Sequence, residues 1–203
     1  MKLYHTETSP FVRKVMIAAH ELGLASRIET VHLRPSPMAP SAELSQKNPL
    51  SQIPALVLDD GDVLYDSRVI CEYLDTLAPQ TSLVPAEGAA RFRVLRLQAL
   101  ADGVLDAGIL AFYEKNSRPA ELHWAPWIDG QLTKVRQGLD ALDREAGSFG
   151  PEVDVAQIAT AAAVGWLEFR GVAGDVREGR AALFGWYDAF RARPSMRATE
   201  PKA

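Results

Sequence analysis

A chain of 203 residues that is 47% hydrophobic and 24% charged carries enough apolar material for one large core or two small ones. Its formal net charge of -4, with no basic cluster interleaved with aromatics, argues against nucleic acid or an anionic membrane as partner. The lone cysteine, Cys71, excludes an intrachain disulfide and any multi-cysteine metal site, and its apolar helical surroundings point to a buried core thiol.

Met1 to Glu7 has no apolar signal core, and the longest apolar run, Ile158 to Leu167, is far short of a membrane span, so a cytoplasmic protein is expected. Leu3-Tyr4-His5 is a brief strand candidate. Pro10 to Leu22 follows with a helical stripe of Val12, Val15, Met16, Ala19 and Leu22, and Gly23 supplies its C-cap. Ile28 to Leu33, rich in β-branched residues, reads as a second strand. A loop with Pro35, Pro37 and Pro40 leads to a short helix around Ala42 to Gln46. Ala55 to Leu58 and Asp62 to Tyr65 flank Asp59-Asp60-Gly61, a hairpin signal, and Ser67 to Leu77 closes this part as a helix. The order is βαβ, then α, ββ and α. It predicts an α/β domain over residues 1–79 with a four-stranded mixed sheet built from one parallel crossover and one hairpin.

Residues 80–88 read as a linker, and from Ala89 to residue 203 the pattern is helical throughout. Helices are predicted over Arg91 to Tyr113, Trp127 to Ala146 with Gly147 as cap, Ile158 to Phe169, and Gly179 to Arg193 ended by Pro194. Asp154-Val155-Ala156-Gln157 resembles a capping box, and the small side chains of Ala159, Ala161, Ala162, Ala163 and Gly165 suit a helix packed closely at the centre of a bundle. Phe112, Tyr113, Trp166 and Phe169 are core candidates, one or two of them available to line a pocket.

Three short signals carry chemistry. Ser9 precedes Pro10, which favours the first helical position, so Ser9 is a natural N-cap. The same geometry sets a hydroxyl beside free N–H groups and the positive end of a helix dipole, where it could donate to a thiolate. A thiol with a pKa of about 8.5 needs roughly 2.7 kcal/mol of differential stabilisation to drop by about two units. A charge-assisted hydrogen bond of about 1.5–3 kcal/mol plus a dipole contribution of about 0.3–1 kcal/mol suffices. Next, Pro54 in Asn48-Pro49-Leu50-Ser51-Gln52-Ile53-Pro54-Ala55-Leu56 marks either an ordinary strand start or a cis Ile53-Pro54 bond that turns the Ile53 backbone outward to pair with a peptide ligand. Finally, Asp66-Ser67 stands where a strand hands over to a helix. Either residue could be a plain N-cap, or the pair could hold an α-amino acid head group, the ammonium on Asp66 and the carboxylate at Ser67.

Taken together these residues resemble the glutathione S-transferase family over nearly the whole chain. The resemblance implies a thioredoxin-like N-terminal domain, an all-helical C-terminal domain and a homodimer. Asn48-Pro49 with Ile53-Pro54-Ala55-Leu56 is similar to the family's glutathione-binding strand, and Asp66-Ser67 through Cys71-Glu72-Tyr73-Leu74 to its γ-glutamyl-binding turn, usually Glu-Ser there. Ala101-Asp102-Gly103, Asp106-Ala107-Gly108 and the ending Thr199-Glu200-Pro201-Lys202-Ala203 resemble the YibF-type bacterial branch. By this likeness Ile53 pairs with the cysteinyl part of glutathione, Asp66 and Ser67 hold the γ-glutamyl end, Gln52 assists, and Phe11 and Pro54 join the glutathione-binding set. Ser9 takes the position that is cysteine in the thiol-bearing classes and serine in the tau class. Thr8, where the delta and theta classes keep their serine, is its rival. The family's Ser/Thr-x-x-Asp capping motif is replaced by Gln157-Ile158-Ala159-Thr160, with Asp154 as an alternative cap.

The function this implies is transfer of glutathione, as thiolate, to a hydrophobic electrophilic small molecule, with a glutathione-binding carrier or a glutathione-dependent peroxide or quinone reductase as alternatives. No metal is expected, because His5, His20, His32 and His123 show no metal-ligand spacing. No phosphate-binding loop is present. Arg13 and Lys14 read as a solvated face, with Arg13 able to support the site by positioning the first helix.

Overall fold

Leu3 and Tyr4 alternate across strand β1 (Lys2–His5), and each finds its own core. The computed structural model, which describes residues 1–78 and 82–202, pairs β1 in parallel with β2 (Glu29–His32), His5 opposite His32. On its other side β1 pairs antiparallel with β3 (Ala55–Val57), and β3 with β4 (Val63–Leu64), giving the order β2-β1-β3-β4. This is the four-stranded mixed sheet that the element order predicted, in the thioredoxin-like form that the resemblance implied. Leu3 and its register partner Leu56 are fully buried on one face. Tyr4 and Ala55 meet Leu44 on the other, brought there by the short helix α2 (Ala42–Ser45), whose Glu43 accepts a 3.0 Å hydrogen bond from the Tyr4 hydroxyl.

Helix α1 (Pro10–Glu21) buries Val12, Val15, Ile17, Ala18 and Ala19, and ends before Gly23, which takes the positive φ of 70° that a following turn needs. Helix α3 (Ser67–Thr76) packs against α1 and buries Ile70, Cys71 and Leu74. Two expectations need correction here. Pro194 does not merely end a helix: it opens α8 (Pro194–Ala198), which packs on α1. Arg13 and Lys14 are not a solvated face but are buried. The reason is tertiary. The Arg13 guanidinium donates to the Met196 carbonyl of α8 at 3.3 Å, and the Ser195 hydroxyl of α8 donates to Glu21. The Lys14 ammonium lies 5.8 Å from the centre of the Phe11 ring.

By contacts the chain divides into one unit made of Met1–Ala86 with the segment from Pro194 onward, and a second spanning Glu87–Arg193. The boundary read at residue 79 and the start of the 80–88 linker lie outside the described residues, as does Ala203. The second unit is all-helical: α4 (Gly88–Ser117), α5 (Ala125–Ala146), α6 (Val155–Arg170) and α7 (Ala181–Phe190). The small-residue helix α6 is buried continuously from Val155 to Leu167. Of the two starts read from the sequence, the cap is Asp154 and not the Gln157 of Gln157-Ile158-Ala159-Thr160: the Asp154 carboxylate accepts from the Gln157 N–H at 2.9 Å while the Gln157 side-chain oxygen accepts from the Asp154 N–H at 3.1 Å. Helix α7 has no capping side chain of its own, and Asp143 of α5 accepts from the Leu183 N–H at 2.8 Å instead. Phe92 of α4 is exposed, so the apolar pattern of that helix is wider than its buried stripe.

Where α5 crosses α4 the backbone of Gly138 comes close: a Cβ placed there would sit 2.3 Å from Cγ2 of Val104, a β-branched side chain with few rotamers to spare. Gly138→Ala should therefore destabilise the helical unit by about 1–3 kcal/mol, even though alanine gains about 1 kcal/mol in helix propensity. Urea unfolding of the variant checks this, and a stabilised variant would mean that α4 and α5 separate at little cost.

Candidate active site

The sheet register decides what can meet. β1 points its C-terminal end the same way as the N-terminal end of β3, because Tyr4 pairs with Ala55 and Lys2 with Val57. β4 runs antiparallel to β3, with Leu64 opposite Leu56, so its C-terminal end points that way too. The turn after β1, the Ile53-Pro54 step before β3 and the Asp66-Ser67 step after β4 thus emerge at one end of the sheet. The three signals, scattered over the sequence, belong to one edge.

Ser9 is the N-cap of α1, with extended φ and ψ of -79° and 121°, and its Oγ accepts from the Val12 N–H at 3.3 Å. The Ser9 N–H donates to the Thr6 carbonyl at 3.2 Å, closing a turn with Glu7 and Thr8 at its centre. A hydroxyl offers one donor and two acceptor lone pairs. Capping uses an acceptor, so the hydroxyl proton remains available. The two roles read from the sequence are therefore compatible in one side chain. Thr8, Ser9 and Phe11 are all partly accessible.

The loop before β3 is held from inside. Asn48 is 3% exposed: its Nδ2 donates to the Gln52 carbonyl at 2.8 Å and its Oδ1 accepts from the Leu50 N–H at 3.0 Å. Ser51 adopts a positive φ of 51°, and its Oγ accepts from the Ser41 N–H at 3.1 Å at the start of α2. The Ile53-Pro54 bond is cis, Pro54 is buried, Ile53 is partly buried and the Gln52 side chain is exposed. Asn48 and Ser51 are positioning residues that sequence reasoning did not single out. The Asn-Pro dipeptide was the available signal for the first.

Asp66 follows a second cis bond, Tyr65-Asp66, which nothing in the sequence announces. It caps α3 by accepting from the Arg68 N–H at 2.9 Å, and its other oxygen accepts from the Arg68 guanidinium at 3.0 and 3.2 Å. Arg68 thus stands where an ammonium was expected. Burial alone would raise the Asp66 carboxyl, but the Arg68 N–H, the Arg68 guanidinium and the charge of Lys14 outweigh it and hold the group below its ordinary value. Ser67 is 2% exposed at the first turn of α3.

In the helical unit the Phe112 ring meets Tyr113 and Trp166 edge-on, each with centroids 6.0 Å away, and the Arg170 guanidinium lies 4.8 Å from Phe112 and 4.9 Å from Phe169. Only Trp166 of these aromatics is fully buried, so the others are less purely core than expected. The histidine reading also changes. His5 and His32, distant in sequence, are register partners, and with Glu7 they form a group of potential metal ligands among the described residues.

A thioredoxin-like sheet with a capped hydroxyl, a cis-proline strand and an acid-hydroxyl turn at one end, followed by a helical domain, defines a class of two-domain thiol-handling proteins. The comparisons agree. Residues 8–77 match the family model of the glutathione S-transferase N-terminal domain, and residues 125–189 that of its C-terminal domain. The uncharacterized GST-like protein YibF of Escherichia coli is 33% identical over 99% of this chain and 98% of its own. A glutathione transferase family member from Pseudomonas fluorescens Pf-5, solved with bound glutathione, is 45% identical with a TM-score of 0.94 over 100% of this chain and 99% of that one. A glutathione S-transferase from Methylobacillus flagellatus, also with glutathione bound, is 36% identical with a TM-score of 0.88, covering 99% of both chains. The chain belongs to the glutathione S-transferase family, close to its YibF-like bacterial members.

The buried Asn48 and the exposed Gln52 give a contrast within one loop. Asn48→Ala should cost about 1–3 kcal/mol by leaving its backbone partners unpaired, whereas Gln52→Ala should stay within about 0.5 kcal/mol of the parent. Equal unfolding midpoints for the two variants would show that the loop is held by something other than Asn48.

Proposed function

We propose that this protein is a glutathione transferase that binds glutathione at the Ile53-Pro54 step before β3, stabilises its thiolate with the Ser9 hydroxyl, and directs the sulfur at an electrophilic carbon of a hydrophobic small molecule. The observation that carries the reading is the division of labour on Ser9, whose acceptor side serves the Val12 N–H while its proton stays free to be donated. The sulfur is the nucleophile, and the protein contributes orientation and electrostatics. Ile53 would pair through its backbone with the cysteinyl part, Asp66 and Ser67 would take the γ-glutamyl end, and Phe11, Gln52 and Pro54 would complete the contact set. An ammonium arriving at Asp66 exchanges with the Arg68 guanidinium. Phe112 and Phe169, with Arg170 against both rings, are partly exposed apolar groups of the helical unit. Homodimerisation is part of the proposal, and exposed Val69 of α3 and Phe92 of α4 are apolar groups a second copy would cover. Among the described residues no helix is long and apolar enough to cross a membrane.

The loss of one donor worth about 1.5–3 kcal/mol to the thiolate corresponds to roughly 10- to 100-fold in rate. Ser9→Ala should lower kcat/KM with a reactive aromatic halide by at least about tenfold and leave the glutathione dissociation constant nearly unchanged. It also removes a helix cap, so Ser9→Gly, which costs the helix only a few tenths of a kcal/mol, is the cleaner variant. Unchanged turnover in both would move the role to Thr8, testable by Thr8→Ala, or to backbone N–H groups. Asp66→Ala and Ser67→Ala should weaken glutathione binding instead, and an unaltered dissociation constant in each would sink that assignment.

The thiolate itself is observable by ultraviolet absorbance of bound glutathione. Asp66 has its pKa depressed, so its charge is lost only as pH falls through a value below 3.8. It therefore contributes nothing to changes above about pH 5. Any absorbance step between about pH 5.5 and 9 is the thiol, and it should fall below about pH 7, well under the free value of about 8.5. Binding without that early step would favour a carrier. An early thiolate that reduces peroxides or quinones but conjugates none of a panel of electrophiles would favour the reductase.

A further inference from the structure

Three potential ligands gather at the C-terminal ends of β1 and β2. His5 ends β1, His32 ends the edge strand β2, and the parallel register sets them opposite one another. Their rings meet edge-on with centroids 5.5 Å apart. Glu7, in the turn that follows β1, reaches back so that its carboxylate lies 3.2 Å from the His32 Nδ1. One ligand atom from each of the three side chains falls within 4.8 Å of the others. A tetrahedral ion with ligands at about 2.0–2.1 Å needs ligand atoms about 3.3 Å apart, so closure asks for side-chain rotation of about an ångström and no backbone rearrangement.

We propose that His5, Glu7 and His32 bind a borderline divalent transition metal ion of the Zn2+, Cu2+ or Ni2+ type. The donor set selects the class. Two imidazoles and one carboxylate suit these ions, whereas Mg2+ and Ca2+ require oxygen ligands, and no thiolate is at hand for a soft monovalent ion. Three protein ligands at a partly exposed edge leave at least one coordination position to water, unlike the closed four-ligand sites that stabilise folds. The site stands whether or not Ser9 acts on a thiol, but its position has a consequence. Glu7 occupies the Thr6–Ser9 turn, so an ion on its carboxylate pins the segment that carries Thr8 and Ser9 to the end of β2.

Zn2+ titrated calorimetrically into the full chain, free of any polyhistidine tag, should bind saturably at one ion per chain, with Mg2+ giving no heat beyond dilution. His5→Gln, Glu7→Gln and His32→Gln should each weaken Zn2+ binding at least about tenfold, while His20→Gln and His123→Gln leave it unchanged. Glu7 and His32 are exposed, so their variants should retain the parent circular dichroism and melting temperature. The electron paramagnetic resonance of bound Cu2+ should show coupling to two imidazole nitrogens, reduced to one in His32→Gln. Absence of saturable Zn2+ binding, or binding that survives both His5→Gln and His32→Gln, would overturn the site.

Discussion

The pairing of β1 on both of its edges is the constraint from which the candidate site follows. A parallel partner on one side and an antiparallel one on the other, with β4 antiparallel to β3 in turn, fix the direction of every strand in the sheet, and the hydrogen-bonded register fixes which residues stand opposite. A slip of one residue would exchange the faces of Leu3 and Tyr4, so the two cores lock the register as firmly as the ladder does. Once it is locked, segments centred on residues 9, 53 and 66 must emerge together. Nothing in the side chains of those segments has to attract the others. The sheet does the assembling, and the loops need only hold their own shape.

They hold it mainly by capping. Ser9, Ser41 and Asp66 each start a helix of the first unit and each accepts a hydrogen bond from a backbone N–H of the first turn. Ser41 then gives its own N–H to Ser51, so the start of α2 braces the loop that presents Ile53. A cap accepts, and a bound thiolate also needs to accept. A hydroxyl can do both jobs, taking from the helix and giving to a ligand. A carboxylate at position 9 would cap equally well and repel a thiolate, and an alanine would do neither. On the proposed function, serine would serve helix and thiolate at once.

What was legible in the sequence follows from range. The βαβ-α-ββ-α order, the helical second part, the Ser9 cap and the Asp154 capping box rest on periodicity and short spacing, and those survive folding unchanged. The burial of Arg13 was not legible, because it depends on a segment beginning at Pro194 that returns to cover α1. The role of Asn48 was only half visible: the Asn-Pro dipeptide marks a turn, but that its side chain reaches the Gln52 carbonyl is a property of the folded loop. His5 and His32 are separated by a whole crossover, and linear ligand spacing is blind to strand register. The choice of Asp154 over Gln157 as cap turned on which residue the helix begins after, and Asp154 has its N3 glutamine in place to complete the reciprocal pair.

Asp66 shows how a site can be ready and yet yielding. Its ion pair with Arg68 is about half exposed on both sides, and pairs of that kind contribute only about 0–1 kcal/mol. Its hydrogen bond from the Arg68 N–H is a different matter, since that donor belongs to the helix and does not leave. The backbone therefore keeps the carboxylate oriented, while the guanidinium pairs with it at little energetic depth. On the proposed function an incoming ammonium would meet a carboxylate already charged. Ser67, buried at the first turn of α3 beside it, lies at the positive end of the helix dipole, where the proposal puts the carboxylate of the same amino acid head group. A carboxylate next to a helix N-terminus would suit a zwitterion better than either ion alone.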